Sequence, residues 1–447
     1  MVSIQLDCNE RLGRIKPLHG INNAPLSGTD NQMFHYLGEA GVPYSRLHDT
    51  GGRFGGGCFV DIENVFRSFD ADPEDPASYD FAFTDWLLAQ LHTQGVEPFY
   101  RLGTTIETSH RIKAYRIFPP KDNLQWARIC EGIIRHYNEG WADGFHYNIR
   151  YWEIWNEPDN MPDTVDNAMW KGTKEQYFRL YEVASRYLKE RFPHLKIGGY
   201  AGCGFYLLGE EGKPDPANWT PRFQYLYDFF LEFLQYISSS EHRSPLDFFS
   251  WHHYSDHRIA PVYARFVRET LDRFGFIHTE SILDEWSAGT ESRGTCKDAA
   301  LIGAMIGSMQ DAPVDQLHYY DGQLHTSYGG LFDPVHKTAF KAYYVLQAFH
   351  VLYCLENQIS CRCQTGELAK GDLIALAASD GRHSALLLVN PLEQPQMVRI
   401  RGIQGKVRCR VIDEVRDFSD AAPPSASGEL ELSPYAVCLV EWQSEPS

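Results

Sequence analysis

The feature that most constrains the fold is a regular alternation of short apolar runs with amphipathic stretches between residues 17 and 352. The runs have the length and composition of buried strands, and the stretches between them have the apolar spacing of helices. The predicted strands are 17–22, 43–48, 96–102, 150–157, 196–201, 247–254, 281–286 and 315–321. The predicted helices are 30–40, 80–94, 122–138, 174–191, 222–238, 260–275, 296–311 and 337–352. Eight such pairs predict a (β/α)8 barrel, since the glycine-rich phosphate turn of a doubly wound sheet does not follow the first strand.

The pattern changes near residue 353, where short β-rich runs replace the alternation. Turn-forming Gly, Pro and Asp residues separate these runs, which predicts an antiparallel β-sandwich. The runs are 373–379, 383–390, 397–402, 407–413 and 435–442. Residues 3–7 alternate in the same way, so a strand within 1–14 is expected to join the sandwich. The predicted division is therefore a barrel over 15–352 and a β-sandwich over 353–447.

Composition and charge disfavour several classes of protein. The 447 residues include 59 acidic and 41 basic side chains, a formal charge of −18, which argues against a nucleic-acid partner. No apolar run is long enough to span a bilayer, so no membrane partner is expected. The N-terminus lacks the regions of a signal peptide and the ten cysteines form no disulfide framework, which together predict a cytoplasmic protein. The oligomeric state is open, a homo-oligomer included.

The run Tyr151–Pro158, Tyr-Trp-Glu-Ile-Trp-Asn-Glu-Pro, is typical of a buried strand that ends in Asn-Glu-Pro. Pro158 cannot continue a strand inside a sheet, so Glu157 is expected where the strand opens into a loop. Active sites of β/α barrels are built at the carboxyl ends of the strands. Glu157 is therefore a candidate catalytic acid.

A second acid, Glu285, ends the run Ser281–Trp286. Two carboxyl groups at the mouth of a barrel suit glycosidic cleavage, because one protonates the departing oxygen and the other stabilises the anomeric carbon. Glu285 follows Asp284 directly, and adjacent side chains face opposite ways, so spacing alone leaves open which of them is catalytic. Glu153 lies deeper on its strand and is expected to pair with Arg46 or Arg101, because an unpaired buried charge is costly.

The motif Trp-Glu-Ile-Trp-Asn-Glu-Pro resembles the acid/base motif of clan A glycoside hydrolases and closely that of family 39, which contains β-xylosidases and α-L-iduronidases. Three further elements resemble that family, in the same order: Ser45–His48, Ser250–Tyr254 and Ile282–Trp286. The resemblance runs from about residue 17 to about residue 352, and the trailing β domain also fits. It implies a retaining double displacement with Glu157 as acid/base and Glu285 as nucleophile.

The same resemblance implies roles for neighbouring residues. Asn156 would bond the substrate 2-hydroxyl, an interaction that strengthens in the transition state. Tyr254 would donate a hydrogen bond to Glu285, and Arg46 would lie beneath the carboxyl groups and hold Glu285 anionic.

Several histidines are candidates for the active site. His252 and His253 alternate in direction, so only one of them is expected to face the pocket, and position favours His252. His19 and His48 end predicted strands and are candidates for contacts with sugar hydroxyls. No acid or cysteine joins the histidine cluster around His257 at a usual ligand spacing, so no metal and no other cofactor is expected.

Two departures from the family concern the substrate. The eighth strand carries Tyr319 and Tyr320 where the family usually places a Trp as a floor for the sugar, and one of the two tyrosines is expected to substitute. After His48 the family usually continues with Gly, whereas here Asp49 leads into a glycine-rich loop over 51–57 that would reshape the pocket.

The sequence thus predicts a retaining exo-glycosidase, β-xylosidase-like, whose partner is a small oligosaccharide or glycoside. Glu107, after the third strand, is a further candidate for substrate contact. An α-L-iduronidase-like or arabinosidase activity is the alternative, and a uronate would need a cation such as Arg53, Arg101 or Arg111. A carbohydrate-binding barrel without catalysis and a metal-dependent barrel hydrolase are alternatives from other classes.

Overall fold

A computed structural model describes residues 1–26, 31–50, 60–106, 117–324, 328–364 and 368–443 of the chain. Glu107, Arg53, Arg111 and the loop over 51–57 lie outside these ranges.

Eight parallel strands close into a barrel in which each strand pairs with its neighbours in chain order. The first strand of the chain, β1 (Val2–Arg14), lies elsewhere. The barrel strands are β2 (Gly20–Asn22), β3 (Tyr44–Leu47), β4 (Glu97–Leu102), β5 (Tyr151–Ile154), β6 (Lys196–Gly202), β7 (Phe248–His253), β8 (Glu280–Trp286) and β9 (Gln316–Tyr319). The predicted (β/α)8 barrel is confirmed.

Helices surround the barrel, and several of them directly follow a capping residue. The described helices are α1 (His35–Glu39), α2 (Ile62–Val65), α3 (Ala82–Thr93), α4 (Asn123–Glu139), α5 (Lys174–Arg191), α6 (Pro221–Ser238), α7 (Ala260–Arg273), α8 (Cys296–Met309) and α9 (Lys341–Cys354). The Asp122 carboxylate accepts hydrogen bonds from the first turn of α4, and Thr173 forms a capping box with Gln176 at the start of α5. In the described ranges, none of the helices combines the length and the apolar character that crossing a lipid bilayer requires.

The interior of the barrel is layered because residues two apart on a strand share a face. Near the amino ends of the strands, an apolar floor closes the barrel; its residues are Tyr44, Phe99, Tyr151, Phe248 and Ile282. Two positions further along, the same face carries polar and charged side chains: Arg46, Arg101, Glu153, Ser250 and Asp284. Just beyond this layer the strands reach their carboxyl ends, which form the mouth of the barrel. The charged layer therefore lies directly beneath the mouth.

The described strands after the barrel are β10 (Asn357–Gln364), β11 (Ile374–Ser379), β12 (His383–Val389), β13 (Gln396–Arg401), β14 (Val407–Ile412), β15 (Asp417–Ala421), β16 (Glu429–Leu432) and β17 (Val437–Gln443). Together with β1 they form one sheet of nine described strands with the order β15-β14-β17-β12-β11-β10-β1-β13-β16. Its pairs are antiparallel except for β1 and β13, which run parallel.

This sheet curls so that strands from both of its ends enclose one apolar core. Ile4 and Ile400 from one end share that core with Val440 and Trp442 from the other. The opposite face of the sheet packs against α8 and α9 and joins the core of the barrel through side chains such as Leu387. The β domain predicted to follow the barrel is therefore confirmed, and its strands form a single curled, mainly antiparallel sheet that β1 joins.

Candidate active site

Glu157 lies just beyond β5, where the backbone turns sharply. Trp155 and Glu157 have φ values of 76° and 45°, in the left-handed region that residues other than glycine rarely adopt. The amide of Glu157 donates to the carbonyl of Ala201 at 3.1 Å, which ties this turn to β6. The strand predicted over 150–157 therefore ends at Ile154. Conformations of this kind cluster at functional sites, where the surrounding structure holds them.

Three neighbours surround the Glu157 carboxylate, which is 13% exposed. His252 Nδ1 lies 2.8 Å from Oε1, and Asn160 Nδ2 donates to Oε2 at 2.7 Å. The thiol of Cys203 lies beside the same carboxylate. Burial favours the neutral acid, but the hydrogen bonds and the charge of His252 outweigh it and lower the pKa of Glu157. Asn160 and Cys203 were not among the residues predicted from the sequence.

Glu285 faces Glu157 across the mouth of the barrel. Tyr254 donates a hydrogen bond to Oε1 of Glu285, and Arg46 Nη1 donates to Oε2 at 3.0 Å. One oxygen of Glu285, one of Glu157 and a ring nitrogen of His252 all lie within 4.8 Å of one another. The structure thus brings the two predicted catalytic acids together at one site.

A β-bulge in β8 explains how Glu285 and Asp284 both face inward. Leu283 is paired with Trp251 of β7, and the next pair is Glu285 with His252, so Asp284 is the extra residue. The same shift occurs toward β9. Bulges re-aim side chains in this way, frequently beside active sites. Asp284 is fully buried beneath the site, whereas Glu285 opens toward the mouth.

Arg46 is fully buried below the two acids, as the family resemblance implied. Its guanidinium donates to Glu153 Oε2 at 2.9 Å, to Asn22 Oδ1 at 3.1 Å and to Asn156 Oδ1 at 2.6 Å, besides its bond to Glu285. The predicted pairing of Glu153 with Arg46 is present. Burial alone would lower the pKa of Arg46, but the surrounding carboxylates raise it, so the guanidinium is permanently charged.

His252 bridges the two acids from beneath. Its Nε2 lies 3.5 Å from Glu285 Oε2 and 3.7 Å from Asp284 Oδ1, while Nδ1 contacts Glu157. Burial alone would lower the pKa of His252, but the carboxylates around it raise the pKa to about 9. His253 faces away, near the Asp256 carbonyl at 3.2 Å, and burial lowers its pKa to about 4. Of the two neighbours, His252 is therefore the one in the site.

Tyr320 and Asp49 form one wall of the mouth. The Tyr320 hydroxyl donates to Asp49 Oδ2 at 2.7 Å, and the ring centroid lies 6.3 Å from that of Tyr254. His48 lies behind this wall, with Nε2 3.1 Å from Asp49 Oδ1 and only 2% of its surface exposed. Burial, together with the charge of Arg46, lowers the pKa of His48 well below its usual value, so its ring is neutral.

Two residues predicted to bind substrate lie elsewhere. His19 is fully buried against Phe349 and Tyr353, with ring centroids 5.3 and 5.0 Å away. It precedes β2, which begins only at Gly20, so it lies at the amino end of the strand and not at the mouth. Tyr319 faces outward, 5.4 Å from the ring of Trp286, because alternation along β9 directs only Tyr320 inward.

Glu157, His252 and Glu285 are also the described residues whose atoms lie close enough together to hold a metal ion. A cation there would have to displace the proton of His252 and break its bond to Glu157, because the pKa of that imidazole is about 9. Among the described residues His257 belongs to no such group, and its Nε2 lies 3.0 Å from the carbonyl of Gly371. The chemistry of this set suits the movement of protons better than the binding of a cation.

Arg101 was a candidate partner for a uronate carboxylate. It is fully buried in the charged layer, and its Nη2 donates to Asp61 Oδ1 at 2.6 Å and to Thr105 Oγ1 at 3.2 Å. This position corrects the expectation that it could reach a substrate.

Two family models match the sequence. Residues 53–352 match glycosyl hydrolases family 39, and residues 371–440 match the C-terminal immunoglobulin-like domain of D-apionate lactonase.

Curated relatives and solved structures give further matches. A β-xylosidase from Geobacillus stearothermophilus is 25% identical over 300 residues, which are 65% of this chain and 49% of that protein. A β-xylosidase from Caldicellulosiruptor saccharolyticus is 29% identical over 171 residues, 36% of this chain and 31% of that protein. The matches thus span about half, or less, of the length of these relatives.

Among solved structures, a glucosidase from Croceicoccus marinus has a TM-score of 0.76 at 21% identity and covers 100% of this chain and 99% of its own. A GH39 β-xylosidase from Caulobacter crescentus has a TM-score of 0.68 at 19% identity, covering 99% and 100%. At these identities the structural likeness shows the shared fold.

Proposed function

Because this chain belongs to glycosyl hydrolases family 39, we propose that it hydrolyses small oligosaccharides or glycosides as a retaining, β-xylosidase-like exo-enzyme. The observation that carries this proposal is the approach of Glu157 and Glu285 to within 4.8 Å. Carboxyl groups about 5–5.5 Å apart suit a double displacement, whereas inversion needs roughly 6.5–9.5 Å to admit a water molecule.

In the first step, Glu285 attacks the anomeric carbon while a proton passes to the departing oxygen. The hydrogen bonds from Tyr254 and from Arg46 Nη1 hold the carboxyl group of Glu285 in place for this attack. The proton comes from Glu157, which shares it with His252 across 2.8 Å. As the leaving group departs, the proton on the buried imidazole of His252 can move to Glu157 and from there to the departing oxygen.

In the second step, Glu157 accepts a proton from water, which then hydrolyses the glycosyl-enzyme. Asn156 is oriented for contact with the sugar, because Arg46 binds its Oδ1 and leaves the Nδ2 group to donate to the 2-hydroxyl. Tyr320 supplies an aromatic surface for the ring, and Asp49 supplies an acceptor for its hydroxyls.

Asp49 also favours a neutral sugar over a uronate. Its carboxylate lies in the wall of the mouth, bonded to Tyr320 and to the amide of Ile106. A substrate carboxylate would meet this like charge, while Arg101 is held below by Asp61. A pentose such as xylose carries no such group, which agrees with the names of the curated relatives.

The test is hydrolysis of a panel of p-nitrophenyl glycosides by the wild type, by Glu285→Gln and by Glu291→Gln, whose residue is exposed on the loop after β8. We expect release from the β-xyloside by the wild type and by Glu291→Gln, and none by Glu285→Gln. Full activity in Glu285→Gln would refute the assignment of the nucleophile, and no release from any glycoside would refute the glycosidase.

Proton NMR of the product formed first then tests the stereochemistry. We expect β-xylose to appear before mutarotation, and early α-xylose would refute a retaining mechanism.

A further inference from the structure

Three carboxyl groups surround the single guanidinium of Arg46. Glu153, Asp284 and Glu285 each place an oxygen within 3.0 Å of one of its nitrogens. Arg46, Glu153 and Asp284 are fully buried, so water does not screen them. Three ionised carboxylates around one buried cation would leave two negative charges in a medium where isolated charge is costly.

Asp284 and Glu153 compete for the same donor. The Nε of Arg46 lies 2.8 Å from Asp284 Oδ2 and 2.9 Å from Glu153 Oε2. That nitrogen carries a single hydrogen, which points toward Glu153 and forms the hydrogen bond there. Among the described residues, neither oxygen of Asp284 receives a hydrogen bond, and Oε1 of Glu153 also has none. A proton on Asp284 would satisfy both groups, because Asp284 could then donate to Glu153.

Within the part of the chain that the structure describes, the other barrel strands supply little positive charge to Asp284. On β7, His252 Nε2 is 3.7 Å away and is engaged with Glu157 and Glu285 as well. On β4, Arg101 is bound to Asp61, and on β9 burial lowers the pKa of His318 to about 3, so that ring is neutral. On β2, Asn22 donates to the backbone carbonyl of Asp284 and not to its carboxyl group.

The electrostatics agree with this geometry. Burial is the largest influence on Asp284 and raises its pKa well above the usual value. Arg46 and His252 oppose that shift, while Glu153 adds to it as the acceptor of a hydrogen bond.

We propose that the carboxyl group of Asp284 stays protonated in the working enzyme and donates a hydrogen bond to the carboxylate of Glu153. The pair then presents one negative charge to Arg46. Asp284 is then a positioning residue. With one ionised carboxylate at its Nε side, Arg46 keeps Nη1 for Glu285 and Nη2 for Asn156. The neutral Asp284 also spares Glu285 a like charge directly beside it in the bulge.

This inference rests on the proposed function for its catalytic consequence, but the protonation itself is tested without substrate. At neutral pH, the infrared spectrum of the wild type minus that of Asp284→Asn should show the carbonyl stretch of a protonated carboxylic acid. Other buried acids such as Asp159, whose pKa is raised to about 7, contribute to both spectra and cancel in the difference. The exposed Asp256 provides the control, and the wild type minus Asp256→Asn should show no such band. Absence of the band from the Asp284→Asn difference overturns the proposal, whatever the enzyme hydrolyses.

Kinetics test which member of the pair carries the charge. Asn at 284 mimics the protonated acid, so Asp284→Asn should keep kcat/KM within about threefold and leave the acid limb of its pH profile unmoved. Glu153→Gln removes the ionised partner of a buried arginine and should lower kcat/KM by at least about a hundredfold. The reverse order, or an acid limb displaced by about a pH unit or more in Asp284→Asn, would place the charge on Asp284 and overturn the proposal.

Discussion

Glu157 Oε1 and His252 Nδ1 share a hydrogen bond of 2.8 Å, and either atom can carry its proton. The lowered pKa of Glu157 and the pKa of about 9 at His252 place the proton on the imidazole in the free enzyme at neutral pH. A leaving group that gains negative charge draws the proton across the pair. The acid role and the base role of Glu157 thus differ only in the position of one shared proton.

Removal of the acid should matter most for poor leaving groups. Glu157→Ala should lower kcat/KM for xylobiose by about 10²- to 10⁴-fold and affect p-nitrophenyl xyloside far less, because nitrophenolate departs without protonation. Azide should restore turnover of the aryl substrate and give a glycosyl azide. Glu210→Ala, at an exposed position, is the control and should match the wild type. Equal loss on both substrates would contradict the acid/base role.

The raised pKa of His252 also predicts how stability depends on pH. The folded-state pKa of about 9 lies above the usual value of 6.5, so the protonated imidazole stabilises the fold fully below about pH 6.5. That contribution, at most about 3 kcal/mol, is lost as the pH rises through about 9. Urea unfolding over this range should show the decline in the wild type and a flatter curve in His252→Gln. Parallel curves would show that His252 is neutral in the folded protein.

At this scale the sequence identified both acids but not how they are presented. Pro158 and the strand pattern mark the strand end at Glu157, whereas only the family resemblance favoured Glu285 over Asp284. Alternation could not foresee that a bulge turns both Asp284 and Glu285 inward. His19 was expected at a strand end, although the predicted strand and β2 both end at Asn22, three residues later. Asn160 carried no signal at all.

The first turn of α6 holds both halves of the site in place. Arg222 Nε donates to the carbonyl of Asn160 at 3.0 Å, and Asn160 binds Glu157. In the same turn Phe223 lies 5.4 Å from the ring of Tyr206, whose hydroxyl accepts the amide of Tyr254 at 3.0 Å. One helical turn thereby supports the neighbours of Glu157 and of Glu285.

Removal of the hydrogen bond from Arg222 to Asn160 should disturb the placement of Glu157 more than that of Glu285. Arg222→Met should lower kcat/KM for xylobiose by about tenfold, with a smaller effect on p-nitrophenyl xyloside, since only the former needs a well-placed proton. The control is Arg265→Met, at an exposed position of α7. An equal loss on both substrates would mean that Arg222 does not act through Glu157.

Long periodic elements were predicted well, and short ones were not. The helix over 174–191 matches α5 residue for residue, because a capping box and a full amphipathic period define it. In contrast, β15 and β16 carry few buried side chains, so they lack the alternation that marks a strand. The helix α2 has only four residues, too few for a helical period to show.

The barrel and the curled sheet share one apolar interface through α8. A Cβ atom at Gly307 would lie 2.2 Å from Cγ2 of Ile374 in β11, and one at Gly303 would lie 3.0 Å from Cγ2 of Val389 in β12. These glycines let the helix and the sheet approach closely. The two parts are therefore expected to unfold together.

Because of this interface, a Gly→Ala substitution in α8 should destabilise the protein, although the same substitution usually stabilises a helix. Gly307→Ala would stabilise a free helix by about 1 kcal/mol, but the contact with Ile374 should cost about 1–3 kcal/mol, so the variant should melt at a lower temperature. Gly13→Ala, where nothing lies within 4 Å, is the control. Calorimetry should give one transition for the wild type. Two transitions, or a Gly307→Ala variant more stable than the wild type, would contradict a shared interface.

The place of β1 between β10 and β13 has a consequence for synthesis on the ribosome. Ser3 pairs with Gln364 and Val2 with Val398, so the two partners of β1 are made more than 300 residues after it. At about 5–20 residues per second, that delay is roughly 20 to 70 s. Throughout this time a nascent chain carries an unpaired strand edge, and we expect this edge to be open to pairing with strands of other nascent chains until β10 and β13 are made.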